Sequence, residues 1–286
     1  MVTVLVLGGG GQVGRELALA QWPSDTRLIV RDRTSADITN RRGVLRLVDR
    51  EGPDLIVNAA AYTRVDDAED ERDVAFAVNA TGVGYLAEAA DAAGATLIHL
   101  STDYVFDGTK DGWYSEEDQP SPASVYGESK LAGERAALRA RKAIVLRTSW
   151  VYGSARPNFV LTVRRLARER DELGVVADQF GCPTAAKDIA GAIVRIVEQG
   201  ASELGLFHLA APDDASWWDL AEAAISQMEP PRNPVLNRLT TDQFPTRARR
   251  PANSRLDSSK LLAGYGIQLP PWRATLASIS AELNSR

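Results

Sequence analysis

Two residues midway along the chain have the types and the spacing for proton transfer. The stretch VYGESKLAGE sets Tyr126 and Lys130 four residues apart, on one face of a helix. A phenol, with a pKa near ~10, is a reluctant acid or base at neutral pH. A neighbouring ammonium favours the phenolate and lowers that pKa, and its remaining donors can bond a ribose. Upstream, HLSTDYVFDG offers the Thr102 hydroxyl as a donor to the same substrate oxygen. This trio suits the protonation of an alkoxide formed when a hydride reaches a ketone. A Tyr-x-x-x-Lys pair also arises by chance in many chains, so its surroundings decide.

A hydride needs a carrier, and the amino end offers a place for one. Gly8, Gly11 and Gly14 in GGGGQVG fall at GxxGxxG spacing between the apolar run VTVLVL and an amphipathic segment. One glycine makes a tight turn, another admits a pyrophosphate close to the backbone, and the last lets helix and strand pack closely. Free amides and the dipole at the helix start then face the phosphates. A second run ends RLIVRDRTSADIT, setting Asp32 about twenty residues past the glycines, where an acid bonds the adenosine ribose of NAD. Arg31 and Arg33 flank it, and an arginine there accepts a 2′-phosphate, so NADH and NADPH both stay open.

The elements that must hold these residues are legible as a rhythm. Apolar, β-branched runs (VTVLVL, RLIV, DLIVNAA, ATLIHLSTD, AIVLRTSW) alternate with segments of helical periodicity. This alternation predicts an α/β fold, a Rossmann-like doubly wound parallel sheet, with Tyr126 opening the helix between the fourth and fifth strands. The first unit is expected over 1–152, with the helix near 159–170 packed on it. Prolines then interrupt the pattern, and a smaller mixed α/β substrate domain is expected over 153–286. Its helices are expected at 159–170, 187–198, 216–228 and 272–284, its strands near GVVAD and LFHLAA.

A net charge of −5 argues against nucleic acid or an anionic membrane as partner. The lone Cys182 excludes an internal disulfide and fits a reducing, cytoplasmic setting. The leading MVTVLVL lacks the basic start of a signal peptide, and no apolar run approaches the ~20 residues that span a bilayer.

With Asn79 in FAVNATG, the glycine turn and the YxxxK pair resemble the extended short-chain dehydrogenase/reductase superfamily. A closer resemblance, over almost the whole chain, is to the dTDP-4-dehydrorhamnose reductase family. It is carried by GQVG (11–14), VNAAAYTRVDDAE (57–69), NAT (79–81), STDYVFDG (101–108), SPASVYGESKLAGE (121–134) and RTSWVYG (147–153). DQFGCPT (178–184) and RRPANSRL (249–256) are the most specific, having no role in generic nucleotide binding.

The resemblance implies NADPH- or NADH-dependent reduction of the C4 ketone of dTDP-4-dehydro-L-rhamnose, the last step of dTDP-rhamnose biosynthesis. It makes Tyr126 the proton donor and Lys130 the ribose-binding, pKa-tuning residue, with Thr102 and Asp103 against the sugar and Trp150 in the substrate wall. It sets Gly11, Gln12 and Val13 at the pyrophosphate, and Asp32, Asp37 and Ile38 around the adenosine. Ala61, Tyr62 and Thr63 lie at the cofactor after the third strand, and Leu100 beside the nicotinamide half. A homodimer and a Mg²⁺ ion at a subunit contact stay open, with no metal ligand set legible. Two departures stand out: Gly9 and Gly10 both lie between the first two motif glycines, and Tyr62 replaces a more usual histidine.

Other residues carry two readings. Trp150 either ends the fifth strand as a core aromatic or, because strand ends face the ligand crevice, lines the site. Trp217 and Trp218 read as packing residues at a helix start. The acidic run DDAEDERD (66–73) reads as a solvated first helical turn in preference to a metal site. Arg247, Arg249 and Arg250 form a surface cluster, or else Arg250, with Arg255, faces a diphosphate. His99 reads as a buried strand residue and Cys182 as a packing thiol. Two other functions compete. A sugar-nucleotide dehydratase or epimerase is disfavoured by Tyr104, which stands where dehydratases place a glutamate. A non-catalytic NADP-binding regulatory subunit, like the β subunit of methionine adenosyltransferase, would not need Thr102, Tyr126 and Lys130.

Overall fold

The computed structural model describes residues 1–285. In chain order the strands are β1 (Val2–Leu7), β2 (Thr26–Arg31), β3 (Leu55–Asn58), β4 (Thr96–Thr102), β5 (Ala143–Thr148), β6 (Val151–Tyr152), β7 (Glu172–Val176), β8 (Phe180–Gly181), β9 (Thr184–Ala185), β10 (Gly205–His208), β11 (Ala215–Ser216) and β12 (Val235–Leu239). The helices are α1 (Gln12–Leu19), α2 (Arg41–Glu51), α3 (Arg72–Phe76), α4 (Gly82–Ala93), α5 (Val125–Ala137), α6 (Phe159–Glu169), α7 (Ala186–Glu198), α8 (Trp217–Ser226), α9 (Ser259–Tyr265) and α10 (Trp272–Asn284).

Six strands form one sheet in the order β10-β5-β4-β3-β1-β2, with every neighbouring pair parallel. Strands β3, β4 and β5 are buried along their whole length because helices cover both faces, which is why their sequences run apolar without alternation. One face packs on α1 and α7, the other on α2, α4 and α5. Strand order reverses at β1, whose neighbours are β2 and β3, so a crevice opens beyond the carboxyl ends of β1 and β3. The glycine turn sits there.

The division of the chain differs from the expected one in two respects. Strand β10 pairs with β5, and α7 packs on the underside of the same sheet, so the chain returns to the first layer after residue 185. Helix α6 does not pack on that sheet. Its apolar stripe, Val160, Val163 and Ala167, faces Leu220, Ala221 and Ala224 of α8 together with Leu173 and Val175 of β7. Periodicity identifies such a stripe but not the element it meets. Among the described residues no helix is long and apolar enough to cross a membrane.

Candidate active site

The turn after β1 owes its glycines to backbone crowding. A Cβ on Gly14 would lie 2.1 Å from the Gly8 carbonyl oxygen, and one on Gly8 would lie 2.4 Å from the Ala60 nitrogen. Gly8 also has a φ of +84°, in the left-handed region. The first turn of α1 can therefore approach the ends of β1 and β3, turning N–H groups without intrahelical partners toward the crevice.

Helix α5 is placed with equal tightness. Ser124 caps it by accepting from the Gly127 amide, and Glu69 Oε1 accepts from the Val125 amide at 2.9 Å. A Cβ on Gly127 would meet the Tyr104 carbonyl oxygen at 2.2 Å, and one on Gly133 the Asn79 carbonyl oxygen at 2.0 Å. Asn79, in a π-helical stretch, accepts from the Tyr62 amide at 2.8 Å and donates to the Tyr62 carbonyl and Ser129 Oγ, both at 3.0 Å. The loop after β3 is thus tied to the helix that carries Tyr126 and Lys130.

A cavity of about 1740 Å³ runs from the glycine turn past α5 to α6 and α8. Its wall brings together Gly8, Gly11, Gln12, Val13, Asp32, Asp37, Ile38, Ala61, Tyr62, Thr63, Leu100, Thr102, Asp103, Tyr126, Lys130, Trp150 and Arg250. Gly14 is outside the wall, beneath Gly8. Arg33 lines the cavity, whereas Arg31 turns away to pair with Glu51 at 3.2 Å. Asp32 Oδ1 accepts from Thr34 Oγ1 and Ser35 Oγ, each at 2.7 Å. The bond from Ser35, then that from Thr34, holds the Asp32 carboxyl down at about 2.

Tyr126 and Lys130 line the same cavity. Lys130 Nζ donates to the Leu100 carbonyl at 2.6 Å. Burial pushes the Tyr126 phenol well above its usual range, and the neighbouring Thr102 hydroxyl only partly offsets it. Burial also brings Lys130 down to about 8, against the attraction of Glu134. Burial is the dominant influence on the phenol, which is neutral at rest.

Thr102 Oγ1 donates to Asp103 Oδ1 at 3.0 Å and Ser149 Oγ to Asp103 Oδ2 at 2.9 Å. Burial nevertheless raises the Asp103 carboxyl to about 6. Tyr104, edge-on to Tyr126 with ring centroids 6.0 Å apart, is pushed by burial up to about 12.

Trp150, at the end of β5, has a φ of +46° and stacks on Trp217 at 3.5 Å with 2° between the planes. A bulky residue held at positive φ stores strain that packing must offset. Trp217 is therefore part of the cavity wall, against the reading that it only packs. Its place beside Trp150, 67 positions back, is not visible to local patterning. Thr148, Arg156 and Phe159 are further wall residues that the sequence reading missed. Thr148 follows the run AIVLR at the strand end, a signal that was available.

The acidic run is, as expected, a partly exposed helical turn ahead of α3, and it also pairs with the arginine loop. Asp66 Oδ2 pairs with Arg250 at 2.5 Å and Asp66 Oδ1 accepts from the Ala248 amide at 3.1 Å, while Arg247 pairs with Asp67 and Asp70. The acids and the arginine loop clasp each other beside the cavity, with Arg250 over the Tyr104 ring at 5.9 Å. Arg255 pairs instead with Asp214 at 3.2 Å and is not in the wall. His99 and Cys182 are fully buried, and His99 Nδ1 meets Asn58 Nδ2 at 3.0 Å.

A parallel sheet with a glycine turn at its switch point, and a Tyr–Lys helix across the same crevice, define a Rossmann-type oxidoreductase. The chain belongs to the family described as RmlD substrate binding domain, which matches residues 2–285. It is 44% identical to a dTDP-4-dehydrorhamnose reductase of Aggregatibacter actinomycetemcomitans, over 98% of this chain and 99% of that one. It is 41% identical to the dTDP-4-dehydrorhamnose reductase of Escherichia coli K12, over 99% and 98%. The crystal structure of the Bacillus anthracis dTDP-4-dehydrorhamnose reductase in complex with NADP superposes with a TM-score of 0.93 at 36% identity, covering 99% of this chain and 100% of that one.

Proposed function

We propose that this protein reduces the C4 ketone of dTDP-4-dehydro-L-rhamnose to dTDP-L-rhamnose, using NADPH or NADH. One observation carries the reading: a single cavity of about 1740 Å³ holds both the glycine turn and the Thr102, Tyr126 and Lys130 side chains. Ordinary small-molecule sites occupy roughly 300–1,000 Å³, so this one has room for a dinucleotide and a nucleotide sugar together. The names of the relatives support the substrate.

The residues fit a dinucleotide. The Gly8–Gly14 turn leaves backbone donors facing the cavity, and Gln12 Oε1 and Thr148 Oγ1 are buried wall atoms without a hydrogen-bond partner. When bound, the reduced nicotinamide supplies the hydride. Tyr126, neutral at rest, holds the proton that neutralises the developing alkoxide. The Thr102 hydroxyl, whose one proton goes to Asp103 at rest, would turn it to the same oxygen, and the Lys130 cation, aimed by the Leu100 carbonyl, would favour the phenolate left behind with its other donors free for the ribose. Arg250, held by Asp66, offers a fork of donors to the diphosphate. Elimination of water is disfavoured because Tyr104, with its acidity reduced to about 12, cannot act as the base that a dehydratase needs at that place.

The test is NADPH oxidation by the purified protein alone with the dTDP-4-dehydro sugar. Turnover supports the reading. Tight NADPH binding without turnover would overturn it in favour of a regulatory role.

A further inference from the structure

The buried side of α5 carries a charged cluster that the steps above leave unused. Glu134, one turn beyond Lys130, forms a two-pronged bond with Arg147 of β5, at 2.8 Å from Nε and 2.7 Å from Nη2. It also accepts from Ser101 Oγ at 2.6 Å. Both charged side chains are almost wholly buried, at 2% and 3% exposure. Ser101 lies between Leu100, whose carbonyl holds Lys130 Nζ, and Thr102. One carboxylate therefore grips both strand ends that frame the reacting groups.

The charge balance points the same way. Arg147 is one buried cation. Lys130 is a second buried cation nearby. His99 of β4 and His208 of β10 face the cluster as neutral rings, since burial first, and then Lys130 or Arg147, hold their basicity low. Tyr126, on the same helix as Lys130, is neutral as well. Two cations and one carboxylate are thus held out of water, and without the carboxylate the group that can yield a proton is Lys130.

We propose that Glu134 is a positioning residue of the reaction, which keeps Lys130 cationic and locks the end of β4 so that Leu100 and Thr102 present their oxygens correctly. The inference rests on the cofactor-facing role of Lys130 proposed above. Its test follows two quantities against pH: NADPH affinity by fluorescence without sugar, and kcat/KM with it. Glu134→Gln is expected to move the alkaline limb of both profiles down by about one pH unit. Arg147→Met removes the competing cation and is expected to move the limb up. Glu134→Asp restores the charge with a shorter reach, so the limb stays in place while kcat falls. A purely architectural Glu134 would lower activity by the same factor at every pH with the limb unmoved, and that result overturns the proposal. If Glu134→Gln does not fold, Arg147→Met decides alone, with a limb that stays or falls counting against it. Shifted NADPH limbs without sugar reduction would remove the functional reading and leave standing only the hold of Glu134 on the Lys130 charge.

Discussion

Asp103 makes stability depend on pH in a way its structure specifies. Its ordinary carboxyl value of 3.8 is raised to about 6, chiefly by burial and despite bonds from Ser254, Ser149 and Thr102. The native state thus holds this proton more tightly than the unfolded chain does. Its contribution is full below the unfolded value and is lost as pH rises through about 6. At ~1.36 kcal/mol per unit, the whole span is about 3 kcal/mol, and the part between pH 4.5 and 7.5 is about 2 kcal/mol. Asp103→Asn keeps the shape and removes the titration. Any constant offset from altered hydrogen bonding cancels when the variant is compared with the wild type across pH, as do the opposing contributions of His99 and His208. Urea unfolding at pH 4.5, 6 and 7.5 measures the difference. The variant should gain about 2 kcal/mol on the wild type between the end points. Parallel stability profiles would refute a buried, proton-binding Asp103.

Gly181→Ala would set a Cβ 2.5 Å from the Trp150 indole and 2.8 Å from Ser254 Oγ. The ring must shift off Trp217, costing about 1–3 kcal/mol of stability and raising KM for the sugar nucleotide more than for NADPH, as thermal unfolding and initial rates would read out. Lys130→Met should lower turnover and weaken NADPH binding together; an unchanged NADPH titration would contradict its ribose role.

What the sequence revealed follows from the range of its signals. The glycine turn, Asp32 and the Tyr126–Lys130 spacing are local patterns, and the alternation of elements around them is enough to bring them to one crevice. The Asp66–Arg250 clasp joins positions 184 apart, and Trp217 meets Trp150 through a fold of the second half of the chain. Neither partner shows periodicity that betrays the other. The same holds for β10, whose short run GLFH has no feature marking it as the sheet's sixth strand rather than part of a separate layer. Acidity depends on a quantity of another kind. Spacing shows that Lys130 lies near Tyr126, but not how much apolar protein surrounds the phenol, and that desolvation dominates.

Tyr126→Phe tests the central claim most directly, because it removes one oxygen and leaves the ring's packing against Tyr62 and Ala75 in place. Single-turnover oxidation of NADPH with the dTDP-4-dehydro sugar should slow by about 10²–10⁴-fold, with NADPH affinity within about twofold of wild type. Turnover at the wild-type rate would show that the proton comes from elsewhere.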